Sequence, residues 1–502
     1  MRGTNHRPVT MLLSMVVLVA GCASAAPSSS PAPSGASGTP RSSPLTSFAN
    51  SAEPSFRPSP SASGSPASKS PTVVTKLPFK GSGRDLATQI RMIEGPDGRL
   101  WLSIPESGRA ILLLLDSTGK PSPGWPIVLP GVEACDQLLA ADDSTVRVVC
   151  SVRRPPGGPF DAVFRAFAFD ANAESMPGWP VDIEDGSIGR VVGDDLMMLV
   201  NPLVHIGGES GERWPVTMIT IAADGTRRTG IEVPFPCCGS TWALGPDGIA
   251  YGMTRRDWAT ASSIKTDVTA FGLNGPHQSW PVTIDGNASD LAFDASGLAY
   301  AVVGASDGRT TRTVVLDRDG HELPAGSAGH AIVSTGTWNG AGDSSPGAPI
   351  VAGDGTAYIV STAGGSTTVV GLNPAGQPLT GWPFRSNLGM EWTGHCGAGD
   401  TGCGQRRTAP AIGPNNALYL LNAASGSSTG GSMVAIAADG RVRNGWPVAL
   451  RRTGAMFWSM VVASNGLSWA LAIEPEKQGY SATVLAIAED SKVVSTTTII
   501  KP

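Results

Sequence analysis

The tripeptide Gly-Trp-Pro recurs in one fixed register, and that recurrence leaves few folds open to this chain. It closes four turn segments: DSTGKPSPGWP at 116–126, DANAESMPGWP at 170–180, NPAGQPLTGWP at 373–383 and AADGRVRNGWP at 437–447. In each, the tryptophan lies nine residues after the first residue quoted. Looser copies are LNGPHQSWP (273–281), AADGTRRTG (222–230) and LDRDGHELPAG (316–326), whereas Trp214-Pro215 precedes its turn and is out of register. A second mark precedes each copy, an acidic or glycine turn beginning at 95, 141, 192, 245, 294, 352, 413 and 463. The steps between these turns are 46, 51, 53, 49, 58, 61 and 50 residues, so the chain from residue 73 onward holds eight units of about 50 residues.

Each unit has room for four short strands. In the first, Val- and Leu-rich runs bounded by Gly, Pro, Asp and Asn predict strands at Gln89–Glu94, Leu100–Ile104, Ala110–Leu115 and Gly124–Leu129. Beyond the N-terminal segment no stretch has a helical period over 12 residues. Gly 63 and Pro 41, with 15% charged residues, agree with many tight turns. Four strands per repeat and no helix predict an all-β chain, an eight-bladed β-propeller over 73–502. A lone four-stranded sheet buries little, so the blades must stack, and a closed ring leaves only short edges. The Trp of Gly-Trp-Pro is expected between neighbouring blades, the Gly where backbones approach, and the Pro where pairing stops.

This pattern resembles the quinoprotein-like, PQQ-type β-propellers, many of which have eight blades. The resemblance spans about residues 73–502 and includes the adjacent pair Cys237-Cys238, which in the cofactor-binding members lies above the quinone. It implies PQQ with calcium as the cofactor. The calcium-binding acids and the stacking tryptophan of that site have no match here, so the residues themselves call for no cofactor.

The N-terminus predicts export and anchoring. Arg2 and Arg7 precede the 12-residue apolar run Val9–Ala20, which is shorter than the roughly 20 residues that span a bilayer core. A basic start, a short apolar core and small residues before a cut describe a secretion signal. Val19-Ala20-Gly21-Cys22 also resembles the bacterial lipobox. The signal is then residues 1–21, and Cys22 carries diacylglycerol and a further acyl chain such as palmitate; two chains anchor stably where one does not. Residues 22–72 are almost wholly Ser, Pro, Ala, Gly and Thr and cannot bury enough apolar surface to offset chain entropy. They read as a disordered linker, spanning roughly 40 Å as a coil and about 150 Å extended. The expected location is the extracytoplasmic side of the cell membrane, or the cell surface.

Charge and cysteines narrow the partners. The net charge is -5, and removing residues 1–21 takes two arginines and no acid, which excludes a generic nucleic-acid binder. With Cys22 lipidated, six cysteines remain for disulfides. A hairpin turning at Asp142-Asp143 sets Cys135 opposite Cys150. Cys396 and Cys403 can close a small loop, with a metal held beside His395 as the alternative, although the spacing matches no standard zinc pattern. Cys237-Cys238 can form a vicinal disulfide.

With strands A to D lettered outward from the axis, the A–B and C–D turns share one face and are short. The B–C and D–A loops share the other and are long and irregular, the usual place for function. Four of the five Arg-Arg pairs are assigned to the long-loop face: Arg153-Arg154, Arg255-Arg256, Arg406-Arg407 and Arg451-Arg452. Arg227-Arg228 falls on the other face. Trp258, Trp338, Trp392, His330 and His395 join the long-loop set. Arginine forks and flat tryptophans suit an anionic glycan or wall polymer. The expected function is a lipid-anchored binding or scaffold module for such a polymer or for a protein partner. The competing expectation is an enzyme with its site in the central mouth, either a quinone-dependent dehydrogenase or a sugar hydrolase or lyase. GASDG (304–308) matches the serine-hydrolase elbow only formally, because that motif needs a strand-to-helix turn. LDRDG (316–320) lacks the further acids of a calcium loop and reads as a tight turn.

Overall fold

A computed structural model describes residues 89–500 except 107, 142–143, 154–161, 184–187, 201–215, 234–239, 257–263, 290, 305–310, 324–331, 334–347, 364–365, 388–409, 423–430 and 451–453. The signal, Cys22 and the linker lie outside the described residues. Among the described residues no helix is long and apolar enough to cross a membrane.

The strands form eight separate antiparallel sheets, each built from consecutive stretches of chain. Blade 1 is Arg91–Glu94, Leu100–Glu106, Arg109–Leu115 and Ile127–Pro130; blade 2 is Val132–Ala140, Val146–Arg153, Ala162–Phe169 and Val181–Ile183. Blades 3 to 8 follow in the same A–B–C–D order, ending with Met456–Val462, Ser468–Glu476, Gly479–Ile487 and Val493–Ile500. Blades 4 and 5 each carry one broken strand, Gly275–Pro276 followed by Val282–Asp285, and Asn287–Ala288 followed by Ala292–Phe293. All eight turn marks fall in A–B connections. The innermost strand of blade 1 touches those of blades 2 and 8, which closes the ring.

Burial follows strand position. The B strand Leu100–Glu106 and the C strand Arg109–Leu115 are buried almost end to end, while the D strand Ile127–Pro130 alternates. Middle strands are covered on both faces by neighbouring blades, so they read as continuous apolar runs. The outer strand is half-solvated and shows period two.

The D strand of blade 1 starts at Ile127, not at Gly124 as expected. Trp125-Pro126 is cis, and proline has no N–H for the ladder, so pairing begins only after it. The same cis bond occurs at Trp179-Pro180, Trp280-Pro281, Trp382-Pro383 and Trp446-Pro447.

These five tryptophans join consecutive blades. Each indole N–H donates to a carbonyl in the C–D turn of the next blade: Trp125 to Ala171 at 3.0 Å, Trp179 to Ala223 at 2.9 Å, Trp280 to Arg318 at 3.1 Å, Trp382 to Ala438 at 2.8 Å and Trp446 to Glu489 at 3.1 Å. Within its own blade each packs on a side chain near the start of the B strand. The pairs are Trp101–Trp125 (4.8 Å between centroids), Tyr251–Trp280 (5.5 Å), Tyr358–Trp382 (5.1 Å), Tyr419–Trp446 (5.6 Å) and the guanidinium of Arg147 over Trp179 (5.4 Å). Such contacts add about 0.5–1.5 kcal/mol beyond area burial.

That B-strand position is a second inter-blade link. Tyr358 Oη donates to Asn416 O of the next A–B turn at 2.6 Å, and Arg147 Nη2 to Asp194 O at 3.3 Å. At the last junction Trp469 Nε1 donates to Gly98 O at 3.1 Å, and Thr497 Oγ1 to Gly119 O at 2.6 Å. Among the described residues no strand is exchanged between blades 8 and 1, so side chains carry this junction.

Burial, together with the Asp247 and Asp294 carboxylates, pushes the phenols of Tyr251 and Tyr300 well above their ordinary value. Burial and Asp354 push Tyr358 up to about 12. The fold therefore favours the neutral phenol over the unfolded chain, where tyrosine ionises near about 10. This contribution is fully present below about pH 10 and is lost as pH rises through the folded values. In an alkaline titration followed by phenolate absorbance, the phenolates of these three tyrosines should appear together with loss of the near-ultraviolet circular dichroism signal. Their appearance on a still-folded chain would contradict the placement.

Candidate functional site

The two faces of the ring differ in what their residues do. The turn face carries the tryptophan and tyrosine links, with Asx turns repeated from blade to blade. In LDRDG, Asp317 Oδ1 accepts the N–H groups of Asp319 and His321 at 2.9 and 2.8 Å, which is a turn brace and not a cation loop. Arg228, at the start of a D strand, pairs with Asp195 at 3.0 Å on this face. GASDG begins at the end of the strand Ala299–Gly304, which pairs antiparallel with Thr311–Leu316, so it belongs to a hairpin and not to a hydrolase elbow.

Of the long-loop candidates, Arg153, Arg255 and Arg256 lie within the described residues. Arg153 ends a B strand, opposite Ala162. Arg255 and Arg256 also end a B strand and are not loop residues, because the ladder continues through Thr266 and Lys265. Arg256 grips Asp267 with both Nε and Nη2, the latter at 2.5 Å, and Nη2 also donates to Thr283 Oγ1 at 3.2 Å. Much of its charge is thus answered within blade 4. Arg154, Trp258, Trp338, Trp392, His330, His395, Arg406, Arg407, Arg451 and Arg452 lie outside the described residues. So do Cys237, Cys238, Cys396 and Cys403.

A polar wall in the central channel has no counterpart in the sequence reading. Three side chains on innermost strands reach the next innermost strand or its turn. Arg91 Nε (blade 1) donates to Asp136 O (blade 2) at 3.3 Å, Gln137 Oε1 (blade 2) accepts Gly189 N–H (blade 3) at 2.6 Å, and Arg190 Nη1 (blade 3) donates to Leu244 O (blade 4) at 2.9 Å. Burial draws the Arg91 guanidinium below its ordinary value and pushes the Asp136 carboxyl above its own, each partly offset by the other's charge. Arg190 is drawn down in the same way, offset by Asp247. Asp136 still reaches solvent, as expected of a group on a concave wall.

Two β-bulges interrupt the innermost strand of blade 2. In the hairpin of Val132–Ala140 and Val146–Arg153, Val132 faces Val152 and Ala134 faces Ser151; Cys135 faces Cys150 and Gln137 faces Val149. Glu133 and Asp136 are the residues that the Cα register skips at the two bulges, and both are exposed. Bulges re-aim side chains and are enriched beside functional sites. The second bulge also corrects the simple hairpin arithmetic. Pairing near the turn (Ala140 with Val146) would set Cys135 opposite Ser151; the extra residue Asp136 shifts the register by one, and the cysteines meet. They form a disulfide within the buried core. The signal available in the sequence was Glu-Ala-Cys-Asp-Gln, two acids flanking a half-cystine on a strand that should otherwise alternate.

With a separation of 15 residues, this cross-link removes about 3 kcal/mol of denatured-chain entropy. Replacing both cysteines with alanine should lower stability in urea by about that amount.

Among the described residues no group of three or more His, Cys, Asp or Glu is placed to hold a metal ion. No family model matches this sequence, and no curated protein does. Solved structures of similar shape include a protein from Lactobacillus plantarum, 14% identical over 69% of this chain and 93% of that one, with TM-score 0.40. Another is prolyl oligopeptidase B from Galerina marginata, 11% identical over 82% of this chain and 57% of that protein, with TM-score 0.42. A third is a putative 6-phosphogluconolactonase from Bacteroides uniformis, 14% identical over 68% of this chain and 92% of that one, with TM-score 0.39. At these identities nothing of their chemistry transfers to this chain.

Proposed function

We propose that this chain is a lipid-anchored, extracytoplasmic binding propeller that holds a glycan or wall polymer of the cell envelope at its long-loop face. The division of labour between the faces carries this reading. The turn face is occupied by inter-blade links at Trp125, Trp179, Trp280, Trp382 and Trp446, so variation there disturbs the ring. The segments of the long-loop face differ from unit to unit in length and composition along the sequence. A scaffold closed on one face and variable on the other suits recognition.

The test uses the full chain in mild detergent. Retention on immobilised cell-wall glycan and on polyphosphate is expected, with polyphosphate retention weakened by Arg255→Ala and Arg406→Ala. Unchanged polyphosphate retention by the double variant argues against a role for these arginines in holding anions. Cys22→Ala should lose metabolic acyl label and leave the membrane fraction; a variant still labelled and still in the membrane removes the anchor from the proposal. Titration with PQQ and calcium separates the dehydrogenase reading, because a spectral shift on binding would favour it.

A further inference from the structure

The sequence holds four Asn-Gly steps, at 274–275, 339–340, 444–445 and 465–466, of which 339–340 lies outside the described residues. Glycine has no Cβ to shield its own nitrogen, so the nitrogen that follows an asparagine can reach that residue's side-chain carbonyl carbon. Whether it does so in a folded chain depends on what else holds the two groups. At 465–466 both are held. Asn465 Nδ2 donates to Asp97 O at 3.4 Å, its Oδ1 accepts the Leu467 N–H at 3.0 Å, and the Gly466 N–H donates to Ala463 O at 2.9 Å. At 274–275 the glycine is tied into the sheet of blade 4 by pairing with Gly272.

Asn444 and Gly445 differ from both. They are the central residues of a turn that Trp446 N–H closes by donating to Arg443 O at 3.1 Å, and both are exposed. Gly445 has φ of +85°, and among the described backbone hydrogen bonds none uses its N–H. In a turn of this kind the central peptide points away from the closing bond and can rotate while the flanking Cα atoms stay in place. The other three Gly-Trp-Pro copies carry Pro123, Pro177 and Thr380 at the position of Asn444, so only blade 7 sets a side-chain amide there.

We propose that Asn444 is a site of spontaneous deamidation, and that the product loosens blade 7 from blade 8. The Gly445 nitrogen loses its proton and attacks Asn444 Cγ. The new C–N bond closes a five-membered succinimide, the Cγ–Nδ2 bond breaks, and the amide leaves as ammonia. Water then opens the ring at one of its two carbonyls and leaves aspartate or isoaspartate, with no oxidant or reductant required. Isoaspartate carries one extra carbon in the main chain between Arg443 and Gly445. The turn has no slack for it. A Cβ on Gly445 would lie 2.8 Å from the Asp490 carbonyl oxygen of blade 8, and Trp446 Nε1 donates to Glu489 O of that blade at 3.1 Å. A lengthened turn cannot keep both its closing bond and this fit. The product accumulates with time, so it marks the age of the folded chain.

The experiment incubates the full chain in detergent at neutral and mildly alkaline pH, maps its peptides by mass spectrometry and assays isoaspartate. Residue 444 should convert first, and faster at the higher pH. Conversion at Asn465 should be slower by roughly tenfold or more, because its hydrogen bonds must open beforehand. In urea, where no fold protects any of them, the sites should convert at similar rates. The aged parent should unfold at lower temperature than the fresh one. Asn444→Pro, which places there the residue that blades 1 and 2 carry, should abolish both the product and that loss. An amide that persists at 444 in the folded chain while the urea-unfolded chain converts overturns the site. Equal rates at 444 and 465 in the folded chain overturn it as well. An unchanged unfolding temperature after full conversion at 444 overturns the loosening of blade 7 from blade 8.

Discussion

Replacing Trp469 with alanine should cost about 4–6 kcal/mol and should loosen the ring where its two ends meet. The side chain is fully buried in the core cluster that joins blades 8, 1 and 2. Truncating a buried tryptophan costs about 3–5 kcal/mol through lost transfer energy and the cavity left behind. It also strips Gly98 O of its indole donor, which adds the penalty of an unmade hydrogen bond. Elsewhere the chain itself joins each blade to the next. Between blades 8 and 1 the described hydrogen bonds run through side chains, among them Trp469 to Gly98, Thr497 to Gly119, and Glu94 Oε1 accepting Ser464 N–H at 2.6 Å. Trp469→Phe should cost less, about 1–3 kcal/mol, because it fills most of the volume and loses only the donor. Trp382→Ala, at a half-buried position, should cost less than Trp469→Ala. Urea unfolding with hydrogen exchange on the strands of blades 1 and 8 measures both effects. Equal losses for Trp469→Ala and Trp382→Ala would contradict the special place of the seam.

The second large effect belongs to the glycine of Gly-Trp-Pro. Gly178 has φ of +78°, and a Cβ built there would lie 1.8 Å from the Asp224 carbonyl oxygen. That oxygen belongs to the backbone of the next blade's turn and cannot swing aside as a side chain would. Gly178→Ala should therefore separate blades 2 and 3 at this point, weaken the Trp179–Ala223 hydrogen bond and cost about 3–4 kcal/mol. Gly193 provides the control. Its φ is +59°, yet a Cβ there meets nothing within 4 Å. Gly193→Ala should cost only the left-handed strain, about 1 kcal/mol. Similar losses in the two variants would show that conformation, and not blade contact, selects the glycine.

The repeat was legible because both of its marks are local. A tight turn favours Gly, Asn or Asp wherever φ is positive, and Gly98, Gly248, Gly297, Gly355 and Gly466 all occupy the left-handed region in the A–B turns. The tryptophan was legible by size and recurrence, and its place between blades follows from both. The B-strand partners were not read, although Trp101, Tyr251, Tyr300, Tyr358, Tyr419 and Trp469 stand at the same point of their strands. Arg147 and Met197 occupy that point in blades 2 and 3 and disguise the pattern, since in blade 2 a guanidinium over an indole replaces a ring on a ring.

By itself the sequence determined the number of blades, the strand order within each and the turns that separate them, because tight turns and buried middle strands depend on neighbours a few residues away. It also brought Cys135 and Cys150 to the same hairpin. The tertiary structure alone decided that Asp136 is the bulged residue that lets them meet, and that Arg91, Gln137 and Arg190 each bond to the innermost strand of the next blade. Those residues come from three blades, far apart along the chain. A ladder register and a closed ring, not local preference, set which of them face one another.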